Sequence, residues 1–243
     1  MVYSLNTTKN LDSLAQEVEF HQRLIRLVRR YCVYCIQMML FFKFISVCNA
    51  SKEVDVIFVV DETGSVELPN FKKTLTALND TIAILDVGQD RVRVGLMTFN
   101  ATPTLQFHLD MFDDKEELQN ATLSIPYNGG STSISRAIKY TRIEMLKEER
   151  GDRSHADNRV VLLTDGISSV GGHPIIRKQN DLLEAQRLKD TGAVLICVGI
   201  GPEVDPNTLK QMASADDYFI HTTFDLLSGV LKTKINAVVN CKV

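Results

Sequence analysis

The sequence predicts an α/β protein with a doubly wound, mostly parallel central sheet, one antiparallel edge strand and helices on both faces. Short apolar runs rich in Val, Ile and Leu occur at residues 54–60, 159–164 and 193–199, as in strands that are covered on both faces. Helix-period segments alternate with these runs, and right-handed crossovers then make the strands parallel. A hydrophobic fraction of 44% and a charged fraction of 23% exclude a disordered or collagenous chain.

The first half of the sheet is predicted around the run 54–60 (VDVIFVV), which ends at Asp61. A Thr63-Gly64 turn leads into a helix, in which Pro69 suits the first turn. One apolar face of that helix is formed by Phe71, Leu75, Leu78, Ile82 and Leu85. Strands follow at 92–99 (VRVGLMTF) and 104–109 (TLQFHL). The connection between them is short enough for a hairpin, so the second of them is predicted as the antiparallel edge strand.

The second half repeats the alternation of helix and strand. A helix is predicted from Ile134 to Met145, and the strand 159–164 (RVVLLT) then stops at Asp165. The next helix passes through Leu182 and Leu188 and ends at 191–192, before the core strand 193–199. A final helix is predicted from about 225 to 239. Ligands of such sheets bind at the carboxyl ends of the strands.

Residues 1–50 differ from the rest of the chain in charge and pattern. They carry six basic and three acidic side chains, whereas residues 51–243 carry 21 and 27. A basic cluster ending at Arg30 precedes the mostly apolar run 31–48, and small residues stand at Cys48 and Ala50. This order is typical of a secretory signal peptide, so we predict cleavage near Ala50, a domain of residues 51–243 and secretion. The alternative is a signal anchor that stays in the membrane, and the chain would contact a membrane only through this segment. Lys43 makes the apolar run marginal for spanning a membrane.

Several function classes are disfavoured by composition and motifs. The formal net charge of −3 provides no basic field for a polyanion, so nucleic acid is not an expected partner. The sequence also lacks a GxxxxGK[ST] phosphate loop and a GxSxG nucleophile elbow. Glycosylation sequons at Asn79, Asn100 and Asn120 give weak support for secretion and for a glycoprotein. Cys197 lies in a core strand and is expected to be an inert buried thiol.

Three loops at or near the ends of predicted strands carry the candidate chemistry. They are 61–65 (DETGS), 129–133 (GGSTS) and 164–166 (TDG), and they offer only oxygen ligands. Carboxylates and hydroxyls without a converging Cys or His set suit a hard cation such as Mg²⁺ or Mn²⁺ and disfavour Zn²⁺. Alternate residues of an extended strand end project to one side, so the oxygens of Asp61, Thr63 and Ser65 can converge. The structural alternative, a capped β-to-α turn, needs only one such side chain.

In order and spacing, the segments VDVIFVVDETGSV, IPYNGGSTSISRAI and VVLLTDGIS resemble the von Willebrand factor type A domain family over about residues 52–240. The resemblance implies a metal-ion-dependent adhesion site (MIDAS), with D-x-S-x-S in the first loop, a threonine in the second and an aspartate in the third. The matching residues are Asp61, Thr63, Ser65, Thr132 and Asp165. One cation, Mg²⁺ or Mn²⁺, is then implied, with an open position that takes an acidic group of a ligand without catalysis.

Two residues depart from the family pattern, and the residue that supplies the ligand in the second loop is not fixed by the sequence alone. Thr63 stands where the family usually has serine, and its methyl group narrows the rotamer choice, so we expect retained but weaker cation binding. Glu62 adds a negative charge that could raise cation affinity while opposing an acidic ligand. In the second loop Ser131 and Ser133 flank Thr132, so the choice of Thr132 rests on the family match.

The resemblance implies a secreted, non-enzymatic adhesion module whose partner is an extracellular protein, such as a matrix protein or receptor, with an exposed Asp or Glu. The first alternative is an intracellular or membrane-anchored scaffold of the same fold with a vestigial metal site. A magnesium-dependent phosphatase is less favoured, because such an enzyme requires a second acidic residue at the position that Thr63 occupies here. Many secreted relatives in the family join the domain ends by a disulfide, here Cys48 to Cys241. Cleavage after Ala50 would instead leave Cys241 for an intermolecular disulfide.

Overall fold

The computed structural model describes residues 53–240, with the side chain of Asn240 excepted. One sheet has the strand order β3-β2-β1-β4-β5-β6. Its strands are β1 (Val54–Asp61), β2 (Val92–Phe99), β3 (Pro103–Phe107), β4 (Asp157–Thr164), β5 (Val194–Ile200) and β6 (Phe219–Thr222). All neighbouring pairs are parallel except β2 and β3. The mostly parallel sheet with one antiparallel edge strand is therefore confirmed. The predicted signal peptide, Cys48 and Cys241 lie outside the described residues.

The helices are α1 (Glu67–Ile84), α2 (Lys115–Leu123), α3 (Ile134–Tyr140), α4 (Pro174–Lys189), α5 (Pro206–Met212) and α6 (Leu227–Asn240). Along the described chain, α1 to α5 lie between strands and α6 follows β6. The predicted helix 134–145 ends its α-helical part at Tyr140 and continues as a π-helical turn, Thr141–Met145. Short 3₁₀ turns occupy Glu148–Arg150 and Asp216–Tyr218. Within the described residues, none of the helices combines the length and the apolar character that crossing a membrane demands.

Alternate residues of β1 belong to two separate core clusters, one on each face of the sheet. Val56, Phe58 and Val60 share a cluster with apolar residues of α1, α2 and α6. Ile57 and Val59 share the other cluster with apolar residues of α3, α4 and α5. This period-two alternation buries both faces of the strand, so the predicted placement of helices on both faces is confirmed.

The amino end of β1 is fixed by a buried ion pair. Asp55 has no exposed surface, and its Oδ1 accepts hydrogen bonds from Nε (3.0 Å) and Nη2 (2.7 Å) of Arg153. Asp55 Oδ2 accepts a further bond from the backbone N–H of Arg153 at 2.8 Å. The Arg153 Nη1 atom also pairs with Glu53 at 2.9 Å. Both charges are therefore compensated where water is absent, which a buried ion pair requires. The candidate site lies at the opposite end of the same strand.

Candidate metal centre

The predicted site residues lie at the carboxyl ends of two neighbouring strands and on the loop before α3. Asp61 is the last residue of β1, and Asp165 directly follows β4, which pairs with β1 in parallel. Thr63 and Ser65 lie in the turn from β1 to α1, and Thr132 lies just before α3. Ser65 is exposed, whereas the other four side chains are at least nine-tenths buried. The fold thus places all five residues at one edge of the sheet.

Asp61 is held in place by two hydrogen bonds. Its Oδ1 accepts the backbone N–H of Thr63 at 2.9 Å, and its Oδ2 accepts the hydroxyl of Thr164 at 2.6 Å. Thr164 was not among the predicted site residues. Its hydroxyl also accepts the N–H of Gly166 at 3.3 Å, so it ties the first loop to the third. The orientation of Asp61 is therefore fixed by the last residue of the adjacent strand.

The side chains of the first and third loops are joined by hydroxyl groups. The Ser65 hydroxyl donates to Oδ1 of Asp165 at 2.9 Å. The Oγ atoms of Thr63 and Ser65 lie 3.1 Å apart. Residues 100 positions apart in sequence thus meet directly, and the Thr63 hydroxyl stays within the set despite its extra methyl group. Asp61, Thr63, Ser65 and Asp165 form one connected group of oxygen atoms.

Thr132 is brought to this edge through its backbone. Its N–H donates to Oγ of Ser169 at 2.8 Å, and its carbonyl accepts the N–H of Ser169 at 2.8 Å. The N–H of Gly64 donates to the carbonyl of Gly130 at 2.8 Å. The Thr132 hydroxyl makes no hydrogen bond to any residue between 53 and 240. The second loop is therefore fastened to the first and the third, but the Thr132 side chain is not bonded to the other four.

Glu62 points away from solvent. Its side chain has no exposed surface, and its Oε2 accepts the amide of Asn128 at 3.1 Å. Its Oε1 is buried and has no hydrogen-bond partner within the described residues. Burial raises the pKa of this carboxyl above its usual value. The Glu62 carboxyl group, predicted as an additional negative charge beside the site, thus lies beneath the first loop and faces Asn128.

Two further residues support the loops although the sequence did not single them out for this role. The Tyr127 hydroxyl donates to the carbonyl of Thr63 at 3.0 Å. The amide of Asn100 donates to the carbonyl of Gly129 at 2.9 Å, and its Oδ1 accepts the N–H of Thr102 at 3.0 Å. A glycan at the Asn100 sequon would compete with the bond to Gly129, because it is attached to the same amide nitrogen.

The site carries negative charge that the described protein atoms do not neutralise. Burial raises the pKa of Asp61 to about 6, and the nearby charge of Asp165 adds to that effect. The pKa of Asp165 is also raised, first by burial and then by the charge of Glu203. Between residues 53 and 240, neither carboxylate forms an ion pair with Lys, Arg or His. Two carboxylates in this condition attract a cation.

The donor set fits a hard divalent ion. Two carboxylates and the hydroxyls of Thr63, Ser65 and Thr132 are all oxygen donors, which Mg²⁺ and Mn²⁺ accept. Across the described residues, no cluster of three or more His, Cys, Asp or Glu side chains suits a metal ion. A cation at this edge would therefore depend on the hydroxyl oxygens as well as on Asp61 and Asp165.

Comparison with known proteins identifies a family. The model of the family described as von Willebrand factor type A domain matches residues 55–233. The chain is 28% identical over 197 residues to the collagen alpha-1(XII) chain of Notophthalmus viridescens. It is 29% identical over 203 residues to matrilin-2 of Mus musculus. Each match covers 79% of this chain but only 20% of the relative, so the chain spans about a fifth of the length of these proteins.

Solved structures share the fold. Proximal thread matrix protein 1 from the mussel byssus, with a zinc-occupied MIDAS motif, is 24% identical with a TM-score of 0.69, covering 76% of this chain and 48% of that one. The manganese-loaded TRAP protein of Plasmodium vivax is 22% identical with a TM-score of 0.62, covering 76% of this chain and 74% of that one. At these identities the likeness extends to the fold.

Proposed function

Because the chain belongs to the von Willebrand factor type A domain family, we propose that residues 51–243 form a non-catalytic adhesion module of the extracellular matrix type. In this proposal the module holds one divalent cation through Asp61, Thr63, Ser65, Thr132 and Asp165. An acidic side chain of an extracellular protein ligand then meets the cation at an open position. The relatives support the adhesive role, since they include a collagen chain and a matrilin.

The observation that carries the proposal is the pairing of two buried carboxylates that have no basic partner among the described residues. Asp61 and Asp165 are 3% and 7% exposed, and the Ser65 hydroxyl links the first loop to Asp165. Burying uncompensated carboxylates costs free energy, and a fold that keeps them near a cluster of hydroxyls gains by binding a cation there. A structural turn would need neither the second carboxylate nor the third hydroxyl.

The chain's own residues prepare this site. Thr164 and the N–H of Thr63 orient Asp61, so that carboxylate is already fixed before a cation arrives. The Thr132 hydroxyl is left without a protein partner in the described residues, which suits a ligand to the cation. When bound, the cation supplies the electrophilic position that captures a ligand carboxylate. Glu62 lies buried behind the first loop, so its carboxyl group does not face an approaching ligand directly.

The identity of the cation follows from the donor chemistry, for which Mg²⁺ or Mn²⁺ is proposed. Two structures of similar fold, one with a zinc-occupied MIDAS motif and one loaded with manganese, support divalent occupancy of such loops. Isothermal titration of the full chain with Mg²⁺, Mn²⁺ and Zn²⁺ ranks the three ions. Measurable binding of both Mg²⁺ and Mn²⁺ is expected for an all-oxygen site. Tight binding of Zn²⁺ would not contradict this, because raw affinities follow the Irving–Williams order and metal availability also decides occupancy.

The test of the function uses Asp165→Asn, with Asp217→Asn as the matched control on an exposed residue. Asp165→Asn should weaken cation binding at least tenfold, since one of two charged ligands is lost, whereas the control should leave it unchanged. Equal cation affinity in both variants and the wild type would refute the proposed metal site. In that case the alternative, a scaffold of the same fold with a vestigial site, would be favoured.

The proposed location is extracellular, because the segment ending near Ala50 has the order of a signal peptide. N-terminal sequencing of the product recovered from the medium of expressing cells should begin at Ser51. A product that begins upstream and stays with the membrane fraction would indicate the signal anchor instead. The same sample shows by non-reducing electrophoresis whether Cys241 forms an intermolecular disulfide.

A further inference from the structure

An apolar cavity adjoins the third loop of the candidate metal centre. Its volume is about 240 Å³. Its apolar lining comes from α3, the third loop, α4 and α5, through Ile134, Ile167, Pro174, Ile175 and Leu209. Two of these side chains are unusually exposed for isoleucine, with Ile167 at 53% and Ile175 at 61%. Exposed apolar side chains that gather around a cavity indicate a binding surface rather than ordinary surface.

The cavity lies directly beside the candidate metal centre. Gly166 and Ser168, which follow Asp165 in the chain, both contribute to its wall. A Cβ atom built on Gly166 would lie 3.9 Å from the Ser65 hydroxyl, so the wall of the cavity lies next to the oxygen cluster. A ligand segment whose carboxylate sits at the cation can therefore reach the cavity with a neighbouring side chain.

Charged side chains of both signs line the cavity, with Arg177 and Lys178 beside Asp181 and Asp205. Arg177 donates from Nη1 to the carbonyls of Ser169 (2.9 Å) and Gly172 (3.1 Å), and within residues 53–240 it forms no ion pair. Lys178 is paired with Asp205 at 3.2 Å. The charge of Arg177 acts on the buried Asp181, so the rim presents no net positive charge. The fit of a ligand therefore depends on the apolar lining and on the position of the cavity beside the metal centre.

We propose that this cavity binds a large apolar side chain of the same ligand whose carboxylate meets the cation, an inference that rests on the proposed function. The ligand is a segment of an extracellular protein in which Leu, Ile or Phe stands directly beside Asp or Glu. An apolar cavity of about 150 Å³ can already hold benzene, so the volume here suffices for such a side chain. The cation provides the anchor, and the cavity provides selectivity among acidic segments.

The test compares peptides that differ only in the apolar residue. Acetylated, amidated Ser-Leu-Glu-Ser and Ser-Glu-Leu-Ser are titrated by NMR against the full chain in saturating Mg²⁺, beside the same peptides with Ala in place of Leu. At least one leucine peptide should bind about tenfold more tightly than its alanine counterpart. Ile175→Ser should abolish that advantage and leave the affinity for the alanine peptides unchanged. Ile84→Ser, at 43% exposure on α1, is the matched control and should change neither.

The outcomes separate the two proposals. Mg²⁺-dependent binding of the alanine peptides without any leucine advantage would overturn the cavity while the acidic capture stands. A leucine advantage that persists in EDTA, or in Ile175→Ser, would also overturn it. If no peptide binds in Mg²⁺, the acidic capture and the cavity are refuted together. A leucine advantage that needs both Mg²⁺ and Ile175 supports the proposal.

Discussion

Replacing Asp181 by Asn should stabilise the folded chain at neutral pH. Asp181 lies in α4 with 3% of its surface exposed, and its Oδ1 accepts the N–H of Ser135 at 2.8 Å and the hydroxyl of Ser168 at 2.9 Å. The Ser168 hydroxyl in turn accepts the N–H of Ile134 at 2.9 Å. These bonds satisfy the first N–H groups of α3, which Ser133 does not cap with its own side chain. An asparagine oxygen can accept the same bonds without the buried charge.

The magnitude follows from the pKa. Burial raises the pKa of Asp181 from 3.8 to about 6, although the charge of Arg177 partly offsets this. At about 1.4 kcal/mol per pKa unit, the ionised side chain costs the fold up to about 3 kcal/mol at neutral pH. Since the folded-state pKa is the higher one, the cost is fully present above about pH 6. It is relieved as pH falls from about 6 towards 3.8, where the folded state takes up its proton first.

The assay is urea denaturation of the wild type and Asp181→Asn at several pH values across that window. The variant should have the larger free energy of unfolding near neutral pH, and the difference should shrink as the solution is acidified. Asp181→Ala is the control for the hydrogen bonds, and it should be less stable than the wild type because Ser135 loses its acceptor. If Asp181→Asn were less stable at neutral pH, with a difference independent of pH, the reasoning from buried charge would be wrong.

Three further predictions concern the scaffold. Asp55→Ala should lower the free energy of unfolding by about 3–5 kcal/mol in urea, because it leaves the buried Arg153 guanidinium without its main partner; a loss below about 1 kcal/mol would contradict this. Gly151→Ala should lower the free energy of unfolding by about 2 kcal/mol or more in the same assay. The reason is that Gly151 has a φ of 85° and that a Cβ there would lie 2.6 Å from the backbone nitrogen of Asp110. An unchanged midpoint of urea denaturation would exclude that strain. Cys197 has no exposed surface, and burial raises its pKa to about 12. It should therefore react with a thiol reagent only after unfolding. Rapid labelling of Cys197 in native buffer, located by peptide mapping, would contradict its burial.

The core of the sheet was predictable because its strands are read from continuous apolar runs. β1, β4 and β5 are buried on both faces, and each appears in the sequence as such a run. The sequence does not predict α2, α5 or β6, which are short. In α2 only Leu118 and Thr122 are buried, so a helical period cannot be recognised. The edge strand is also shorter than predicted and covers Pro103–Phe107.

The candidate site was predictable to a similar degree. Loops that follow buried strands identify Asp61 and Asp165. The expectation that strand pleat aligns Thr63 and Ser65 with Asp61 was wrong in its reason, because β1 ends at Asp61 and the turn that follows brings the hydroxyls together. The supporting contacts depend on the fold, because they join residues far apart in sequence. Tyr127 lies 64 positions from its partner Thr63, and Asn128 lies 66 positions from Glu62. No local pattern encodes such pairs, so only the folded arrangement reveals them.

The two ends of β1 place aspartates under opposite conditions. Asp55 is paired with Arg153 at one end, whereas Asp61 at the other end forms no ion pair with a basic side chain of the described residues. Substitutions in the loops at the carboxyl end of β1 do not remove either partner of the Asp55–Arg153 pair. The ion pair that anchors the strand is therefore independent of which side chains the loops at its other end carry.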